Sequence, residues 1–203
     1  FDQPTSLDFQ KRLQFPFFEY HLKDKGGWDA QEAVVFQTGR NEWRSFDRWP
    51  PPGVQPTNLY LRENGTLSFE EPAVSQADRS RTDVSDSYLS DPNHPVPFSA
   101  EIRTSLGHLW KVEDQRFAST RPDVLTYVSE PLTEDLTIAG PILANIFVST
   151  TGTDSDWIVK LIDVYPGDAP PSEACAVPMG GFQMHVAGEI MRGKFRNSLE
   201  NPE

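Results

Sequence analysis

The sequence has only one cysteine, Cys175, in 203 residues. A single cysteine excludes a disulfide within the chain, and it has no second thiol with which to build a metal knot. The chain also lacks a Gly-x-Ser-x-Gly motif, the turn on which α/β-hydrolases carry their nucleophile. We therefore expect no serine nucleophile of that type among these residues.

Basic residues are scarce as well. There are 18 lysines and arginines against 30 aspartates and glutamates, which gives a formal net charge of -12. Without a basic stripe that could follow phosphate groups, a nucleic-acid partner is not expected. No apolar run approaches the length of a membrane-spanning helix, so a membrane partner is not expected either. The sequence fits a bacterial exported protein and a cytoplasmic one equally.

Metal-binding patterns are absent or weak. The four histidines are far apart and show neither His-x-His nor His-Glu-x-x-His spacing. Asp154, Ser155 and Asp156 could offer oxygen ligands to calcium, but the EF-hand spacing is absent, and aspartates in such loops usually cap turns. We expect neither a metal ion nor a cofactor.

Sequence typical of β-strands is abundant. Two apolar runs, 142–150 and 156–165, flank the turn residues Thr151-Gly152-Thr153-Asp154-Ser155, and this predicts a long hairpin. In the second run, apolar residues fall on both alternating faces of the strand. We therefore predict that both faces of this hairpin are covered by other parts of the protein.

Further strands are predicted by extended runs and the turns between them. Residues 33–38 and 42–46 flank Gly39-Arg40-Asn41, and residues 58–61 and 66–69 flank Asn64-Gly65, a strong hairpin signal. Short strands are also predicted at 86–90 and 191–196. The sequence shows no internal repeat, and the pattern predicts one mainly β domain.

Residues 4–25 have the spacing of an amphipathic helix, whose apolar face would carry Phe9, Leu13, Phe17 and Tyr20. Thr5 is the candidate N-cap, Pro16 is expected to kink the helix, and Gly26-Gly27 would end it. A helix this rich in aromatics cannot bury its stripe alone, so it should pack against the β domain or against another part of the protein.

Two short segments place opposite charges side by side, Asp114-Gln115-Arg116 and Arg121-Pro122-Asp123. Charges this close in sequence can form ion pairs within one loop. We interpret both segments as ion pairs that fix a loop, and not as catalytic groups.

Trp110 lies in a segment, 99–112, that has no clean periodicity. Loops on a rigid scaffold often carry function, so two interpretations stay open: Trp110 lies near a ligand, or it packs the loop. Trp157 lies within a predicted strand and is expected in the core. As in carbohydrate-binding sandwiches, a sugar-stacking platform could be formed by Trp28, Trp43, Trp49, Trp110 and Trp157.

Several short motifs occur in order over nearly the whole chain: Asn41-Glu-Trp-Arg44 with Trp49-Pro50, Tyr88-Leu-Ser-Asp-Pro92, Pro95-Val-Pro97, Asp114-Gln-Arg-Phe117, Arg121-Pro-Asp-Val-Leu125, Thr153-Asp-Ser-Asp-Trp157 with Lys160-Leu-Ile-Asp-Val164, and Met191-Arg-Gly-Lys-Phe-Arg196. With these motifs the chain resembles the C-terminal, non-catalytic jelly-roll domain of the X-Pro dipeptidyl-peptidase and cocaine esterase group. Within that group it is most similar to the α-amino acid ester hydrolases and glutaryl-cephalosporanate acylases.

The resemblance implies a mainly β fold, a jelly-roll β-sandwich like galactose-binding domains, preceded by one helix from the end of an α/β-hydrolase domain. Residues 1–27 would be that helix and a linker, and residues 28–203 the sandwich, truncated at its C-terminus. The catalytic serine, aspartate and histidine would lie upstream, in a serine hydrolase acting on esters or amides of small acyl or α-amino acyl groups. The chain alone should then be inactive.

The resemblance also implies a role for the loop 98–113, which in relatives lies near the mouth of the active site. Trp110, and with it Leu109, would line the acyl pocket. The partners implied are the upstream α/β-hydrolase domain, a small ester or amide substrate and a homo-oligomer. The alternative from the tryptophans is a free-standing carbohydrate-binding or lectin-like β-sandwich.

Overall fold

The computed structural model describes residues 3–72, 85–101, 104, 108–173 and 176–202. The chain divides into two compact units. The first comprises Phe1–Pro56, Leu136–Pro141 and Ser172–Val177, and the second comprises Thr57–Asp135, Ile142–Pro171 and Pro178–Glu203. Across the described ranges, every helix is too short or too polar to cross a membrane.

The first unit begins with one continuous helical segment: α1 (Thr5–Phe9), a π-helical turn (Gln10–Gln14) and α2 (Phe15–Lys23). Pro16 lacks the backbone N–H that an α-helix would direct to the carbonyl four residues earlier. The wider π-helical turn lies immediately before this position, as such turns often do where an α-helical hydrogen bond is missing. The disruption predicted at Pro16 therefore takes the form of a π-helical turn.

The ends of this segment differ from the prediction by a few residues. Pro4 occupies the N-cap position and no side chain caps the helix, so the prediction that Thr5 is the N-cap is wrong. The sequence predicts that Gly26-Gly27 ends the helix, but α2 ends earlier, at Asp24, which adopts the left-handed conformation with φ 51°. Its N–H donates to the Tyr20 carbonyl oxygen at 3.1 Å, and a short polar side chain tolerates this conformation better than most.

The first unit also contains an antiparallel hairpin of β1 (Ala33–Gln37) and β2 (Glu42–Phe46). Gln37 pairs with Glu42 at the turn. Gly39 (φ 82°) and Asn41 (φ 57°) supply the left-handed conformations that reverse the chain there. The predicted hairpin is confirmed.

The second unit holds a three-stranded sheet of β3 (Tyr60–Arg62), β4 (Thr66–Ser68) and β5 (Val128–Ser129). β3 and β4 are antiparallel, whereas β5 pairs with β4 in parallel. Asn64 and Gly65 both have positive φ, at 59° and 68°, in the 3-10 turn that joins β3 to β4. The hairpin predicted from this dipeptide is confirmed.

The longest pairing joins β6 (Asp156–Val164) to β7 (Gln183–Arg192), and it is antiparallel. Leu161 pairs with Ala187 and Ile162 with His185, so Val186 is an extra residue that forms a β-bulge in β7.

The hairpin predicted between 142–150 and 156–165 is wrong in its first strand. Residues 142–150 form no strand, and Leu143 and Phe147 are 85% and 94% exposed. Asp154 does not close a turn toward them: its carboxylate accepts a hydrogen bond from the Lys194 backbone N–H at 3.0 Å. That bond ties the start of β6 to the end of β7, which is the partner that β6 takes.

Two further strand predictions are also wrong. Residues 86–90 adopt no regular structure. β7 ends at Arg192, and Gly193–Phe195 form a 3-10 turn where the alternating pattern had predicted a continued strand. Gly193 lies close to the Trp157 ring, since an added Cβ there would lie 2.7 Å from Trp157 Cζ3.

Both faces of the β6–β7 pair are partly open. Ile158 and Ile190 on one face, and Met191 on the other, are more than half exposed. These side chains are open in this chain by itself, so the coverage of both faces by other parts of the protein stays a prediction. Trp157 is only half-buried, so the prediction that it lies in the core is not confirmed.

The best-buried part of the second unit lies where β7 begins. Phe182 is 4% exposed and its ring lies 6.4 Å from that of Tyr165. Met179, Ala118 and Gln115 are also buried. Ala118 belongs to α3 (Arg116–Ser119), and Gln115 is the N-cap residue of that helix. This small core anchors the segment that carries the candidate site.

Candidate functional site

Trp110 lies in a 3-10 helix, His108–Val112, beside β7. Its half-buried ring packs against Phe98, with the ring centroids 4.7 Å apart and the planes inclined by 46°. The ammonium of Lys111 lies 5.6 Å from the centroid of the same ring. Leu109 belongs to the same turn, but its side chain lies outside the described part of the structure.

Glu113 connects the two segments that carry this aromatic pair. Its carboxylate accepts a hydrogen bond from the Ala100 backbone N–H at 3.3 Å, two residues after Phe98. Its backbone carbonyl accepts one from Gln115 Nε2 at 2.8 Å. The Phe98 segment and the Trp110 helix are thus tied to the same residue.

Asp114 and Gln115 then dock onto the first residue of β7. Gln115 N–H donates to the Gln183 carbonyl at 3.1 Å, and Gln183 N–H donates to Asp114 Oδ1 at 3.3 Å. Burial alone would raise the pKa of the Asp114 carboxyl, but hydrogen bonds from Arg116 and from two backbone N–H groups outweigh it and lower that pKa. The Asp114–Arg116 ion pair, with Nε 2.7 Å from Oδ2, confirms the predicted loop ion pair.

Lys160 of β6 reaches the same point from the neighbouring strand. Its Nζ donates to Gln115 Oε1 at 2.7 Å and lies 5.8 Å from the centroid of the Phe117 ring. Partial burial lowers the pKa of the Lys160 ammonium, and the Glu113 carboxylate opposes that shift. Sequence reasoning missed this contact, because Gln115 and Lys160 are 45 residues apart and neither belongs to a recognised catalytic pattern.

The second predicted ion pair is also present. Arg121 donates to both carboxylate oxygens of Asp123, from Nε at 2.8 Å and from Nη2 at 2.6 Å. The hydrogen bond from Arg121 is the main reason why the pKa of Asp123 is lowered. As expected from the sequence, this pair fixes a loop.

Asp154 and Asp156, the candidate calcium ligands, form hydrogen bonds and an ion pair with other groups of this chain. Asp154 accepts hydrogen bonds from the backbone N–H groups of Ser155 and Lys194, and Asp156 forms an ion pair with Arg192. Asp154 thus binds backbone N–H groups of this chain, although the hairpin turn in which it was expected does not form. Over the ranges that the structure describes, no three histidine, cysteine, aspartate or glutamate side chains lie close enough to hold a metal ion.

The first unit contains a cleft of about 600 Å³ that sequence reasoning did not predict. Trp43 Nε1 is buried at its edge without a hydrogen-bond partner among the described residues. Its lining is mixed and includes Asp8, Arg12, Trp28, Asp29, Trp43 and Asp47. The cleft could not be predicted from a local pattern, because its lining residues come from distant segments, among them α1, the residues after α2, and β2.

The tryptophans of the first unit do not share one platform. Trp28 packs edge-on against Phe17 at 5.3 Å, Trp43 against Phe36 at 5.5 Å, and Trp49 lies 6.0 Å from Phe46. Each ring therefore has its own aromatic partner. This arrangement gives no support to a sugar-stacking surface built from several tryptophans.

The Phe98–Trp110 pair offers an apolar, aromatic surface with one cation beside it. Such a surface suits contact with an apolar group of a ligand, since aromatic rings bury large areas with fixed geometry. The residues that support it, Glu113, Gln115 and Lys160, are engaged with one another.

This chain is similar to several known proteins, among them the following three. Cocaine esterase from Rhodococcus sp. (strain MB1 Bresler) is 33% identical over 193 residues, which are 92% of this chain and 31% of the relative. The crystal structure of an aminopeptidase from the marine sediment archaeon Thaumarchaeota archaeon matches 96% of this chain and 31% of its own, with 37% identity and a TM-score of 0.77. A selenomethionine-labelled α-amino acid ester hydrolase matches 100% of this chain and 33% of its own, with 35% identity and a TM-score of 0.76.

These likenesses extend over nearly all of this chain, although it spans only about a third of the length of each relative. The fold expected from the sequence, a mainly β jelly-roll sandwich preceded by one helix, is confirmed. The family model described as the X-Pro dipeptidyl-peptidase C-terminal non-catalytic domain matches residues 26–200. The chain therefore belongs to the family of X-Pro dipeptidyl-peptidase C-terminal non-catalytic domains.

Proposed function

We propose that this chain is the β-sandwich part of a serine hydrolase that cleaves esters or amides of small acyl or α-amino acyl groups. Residues 1–27 form the last helix of an upstream α/β-hydrolase domain, and residues 28–203 form a jelly roll that continues beyond them. The family match from residue 26, the esterase and ester hydrolase relatives, and their threefold greater length support this proposal. The catalytic serine, aspartate and histidine lie upstream, and the chain alone is inactive.

Trp110, together with Leu109, forms part of the wall of the acyl pocket. The observation that carries this assignment is the Phe98–Trp110 pair: Glu113 directly follows the Trp110 helix, and its carboxylate binds the Ala100 N–H of the Phe98 segment. An aromatic surface fixed in this way discriminates acyl groups by shape, because it cannot move aside at low cost. Serine attack, proton transfer by histidine and oxyanion stabilisation belong to the upstream domain.

The chain also supports assembly of the hydrolase. Apolar side chains that a folded domain normally covers are open here, among them Ile158, Ile190 and Phe147. Both the upstream domain and further strands of the jelly roll can bury such residues. Their burial would stabilise the whole protein by about 25 cal/mol for each Å² of apolar surface removed from water.

Trp110→Ala in the complete hydrolase tests the pocket wall. We expect the ratio of kcat/KM for an aromatic acyl ester to that for an acetyl ester to change by about tenfold, with little change in Tm. Trp49→Ala is the matched control, because Trp49 likewise packs against a single aromatic side chain. A loss of Tm with an unchanged ratio would show that Trp110 is purely structural.

The absence of catalytic groups from this chain is tested separately. The chain alone is incubated with a fluorophosphonate that labels activated serines, next to the complete hydrolase. We expect labelling of the hydrolase only. Specific covalent labelling of the 203-residue chain would reveal a nucleophile within it and contradict the proposal.

A further inference from the structure

Gln115 is the point at which the Trp110 segment is fixed to the β6–β7 pair. It is 5% exposed and makes hydrogen bonds in three directions. Its N–H donates to the Gln183 carbonyl of β7, its Nε2 donates to the Glu113 carbonyl, and its Oε1 accepts from Lys160 Nζ of β6. A buried amide oxygen needs such a donor, since leaving it unpaired is costly.

Lys160 is well placed to supply that donor. It lies opposite Gly188 in the β6–β7 register, and an added Cβ at Gly188 would lie 3.3 Å from Lys160 Cγ. The stem of the lysine therefore passes over a residue that has no side chain. The ammonium then rests between Gln115 Oε1, at 2.7 Å, and the Phe117 ring, whose centroid is 5.8 Å away.

Both members of the aromatic pair depend on this contact. Trp110 is five residues before Gln115. Its 3-10 helix ends at Val112, so only two residues separate that helix from Gln115. Phe98 is two residues before Ala100, whose N–H is held by the Glu113 carboxylate. The Glu113 carbonyl is in turn held by Gln115 Nε2. Hydrogen bonds and short stretches of chain therefore connect Gln115 to both rings.

We propose that Lys160 and Gln115 are positioning residues that set the location of the Phe98–Trp110 pair and, through it, the acyl selectivity of the hydrolase. The selectivity part rests on the proposed pocket wall. The positioning part does not, because it concerns only the contacts of this chain. Lys160 touches neither ring of the pair and acts through Gln115 and Glu113.

Lys160→Met in the complete hydrolase tests the proposal. The protein is labelled with 5-fluorotryptophan, and the Trp110 fluorine signal is assigned by its loss in Trp110→Phe. We expect Lys160→Met to shift or broaden that signal and to change the ratio of kcat/KM for aromatic acyl and acetyl esters by about tenfold. Lys160→Arg, which keeps a donor and the positive charge, should restore most of both properties.

Lys194→Met is the matched control, since Lys194 also lies over a neighbouring ring, 5.1 Å from Phe195, but does not contact Gln115. It should leave the Trp110 signal and the ratio unchanged. Lys160→Val, whose β-branched side chain suits a strand and has no donor, carries the same prediction as Lys160→Met if the latter folds poorly.

The two parts of the proposal fail in different ways. An unchanged Trp110 signal in the Lys160 variants overturns the positioning role, whatever the ratio. A shifted signal with an unchanged ratio upholds the positioning role and overturns the link to selectivity, and with it the pocket wall.

Discussion

Asp156 and Arg192 face each other at one end of the β6–β7 pair and form a two-pronged ion pair. Arg192 donates from Nε to Oδ1 at 2.9 Å and from Nη2 to Oδ2 at 3.0 Å. The two residues are also direct partners in the strand register. Because a shift by one residue would separate the charges, the ion pair marks the correct alignment of the strands.

A double-mutant cycle of Asp156→Asn and Arg192→Gln should show a small, salt-dependent coupling. Both side chains are partly exposed, so water and ions screen the pair. We expect each single change to lower Tm by no more than about 3 °C, and less at high salt. Thermal unfolding at low and high salt measures this. A large coupling that salt leaves unchanged would contradict the argument.

Gly193→Ala should destabilise the second unit. An added Cβ would lie 2.7 Å from Trp157 Cζ3 and 3.0 Å from the Ser155 carbonyl oxygen, and the backbone oxygen cannot easily move away. The expected loss is about 1–3 kcal/mol in the free energy of unfolding, measured with urea. Gly167→Ala is the control, because nothing lies within 4 Å of an added Cβ there. Equal effects of the two changes would refute the steric explanation.

Gly140→Ala should destabilise the first unit more than Gly53→Ala. Both glycines have positive φ, 99° and 90°, so both variants incur about 1–2 kcal/mol of backbone strain. Only at Gly140 would the new methyl group also meet a neighbour, Pro50, at 3.0 and 3.2 Å. We expect Gly140→Ala to cost about 1 kcal/mol more in urea unfolding. Indistinguishable costs would show that the Pro50 contact relaxes freely.

Tyr127 should make the protein lose stability in alkaline solution. Burial, together with its hydrogen bond to Asp86 Oδ2 at 2.6 Å, raises the pKa of Tyr127 from 10.0 to about 12. The unfolded chain therefore binds fewer protons than the folded one between about pH 10 and pH 12, and stability falls as pH rises through that window.

Tyr127→Phe is the variant that isolates this effect. It should lose stability near neutral pH, because Asp86 loses its partner, but its stability should fall less steeply above pH 10. Urea unfolding across the alkaline range measures both slopes, and phenolate absorbance reports the ionisation directly. Parallel declines in the two proteins would rule out Tyr127 as the source.

Chymotrypsin, which cuts after aromatic residues, should cleave the separate chain after Phe147 and spare this bond in the complete hydrolase. Phe147 is 94% exposed in a segment without regular structure, whereas Phe182, at 4% exposed, is the internal control. Mass spectrometry of early fragments identifies the cut. Equal cleavage of both proteins after Phe147 would count against the proposed burial of this segment in the assembly.

The elements predicted correctly from the sequence are those whose signals are local. The turns at Gly39–Asn41 and Asn64–Gly65 carry residues that tolerate positive φ, and each joins strands only a few residues apart. The helix at the start of the chain was predictable from its spacing, although Pro16 and Asp24 changed its interior and its end.

The largest error concerns a contact between distant segments. The loop before β6 is rich in turn residues, and it therefore suggested a partner at 142–150, whereas the actual partner, β7, begins at Gln183. No short-range pattern distinguishes these two possibilities. Similarly, Trp110 stood out as an aromatic residue in a loop, but Gln115 and Lys160 look like ordinary surface residues until the fold joins them.

The bulge at Val186 divides β7 into two halves with opposite phase. If Val186 instead paired with Ile162 in a regular ladder, His185 would pair with Asp163, and Gln183 and His185 would point to the face that carries Trp157 and not to the face that carries Lys160. The C-terminal half is aligned to Asp156 through Arg192, while the N-terminal half is aligned to the Asp114–Gln115 segment. One inserted residue thus allows a single strand to satisfy two alignments that a regular strand could not meet together.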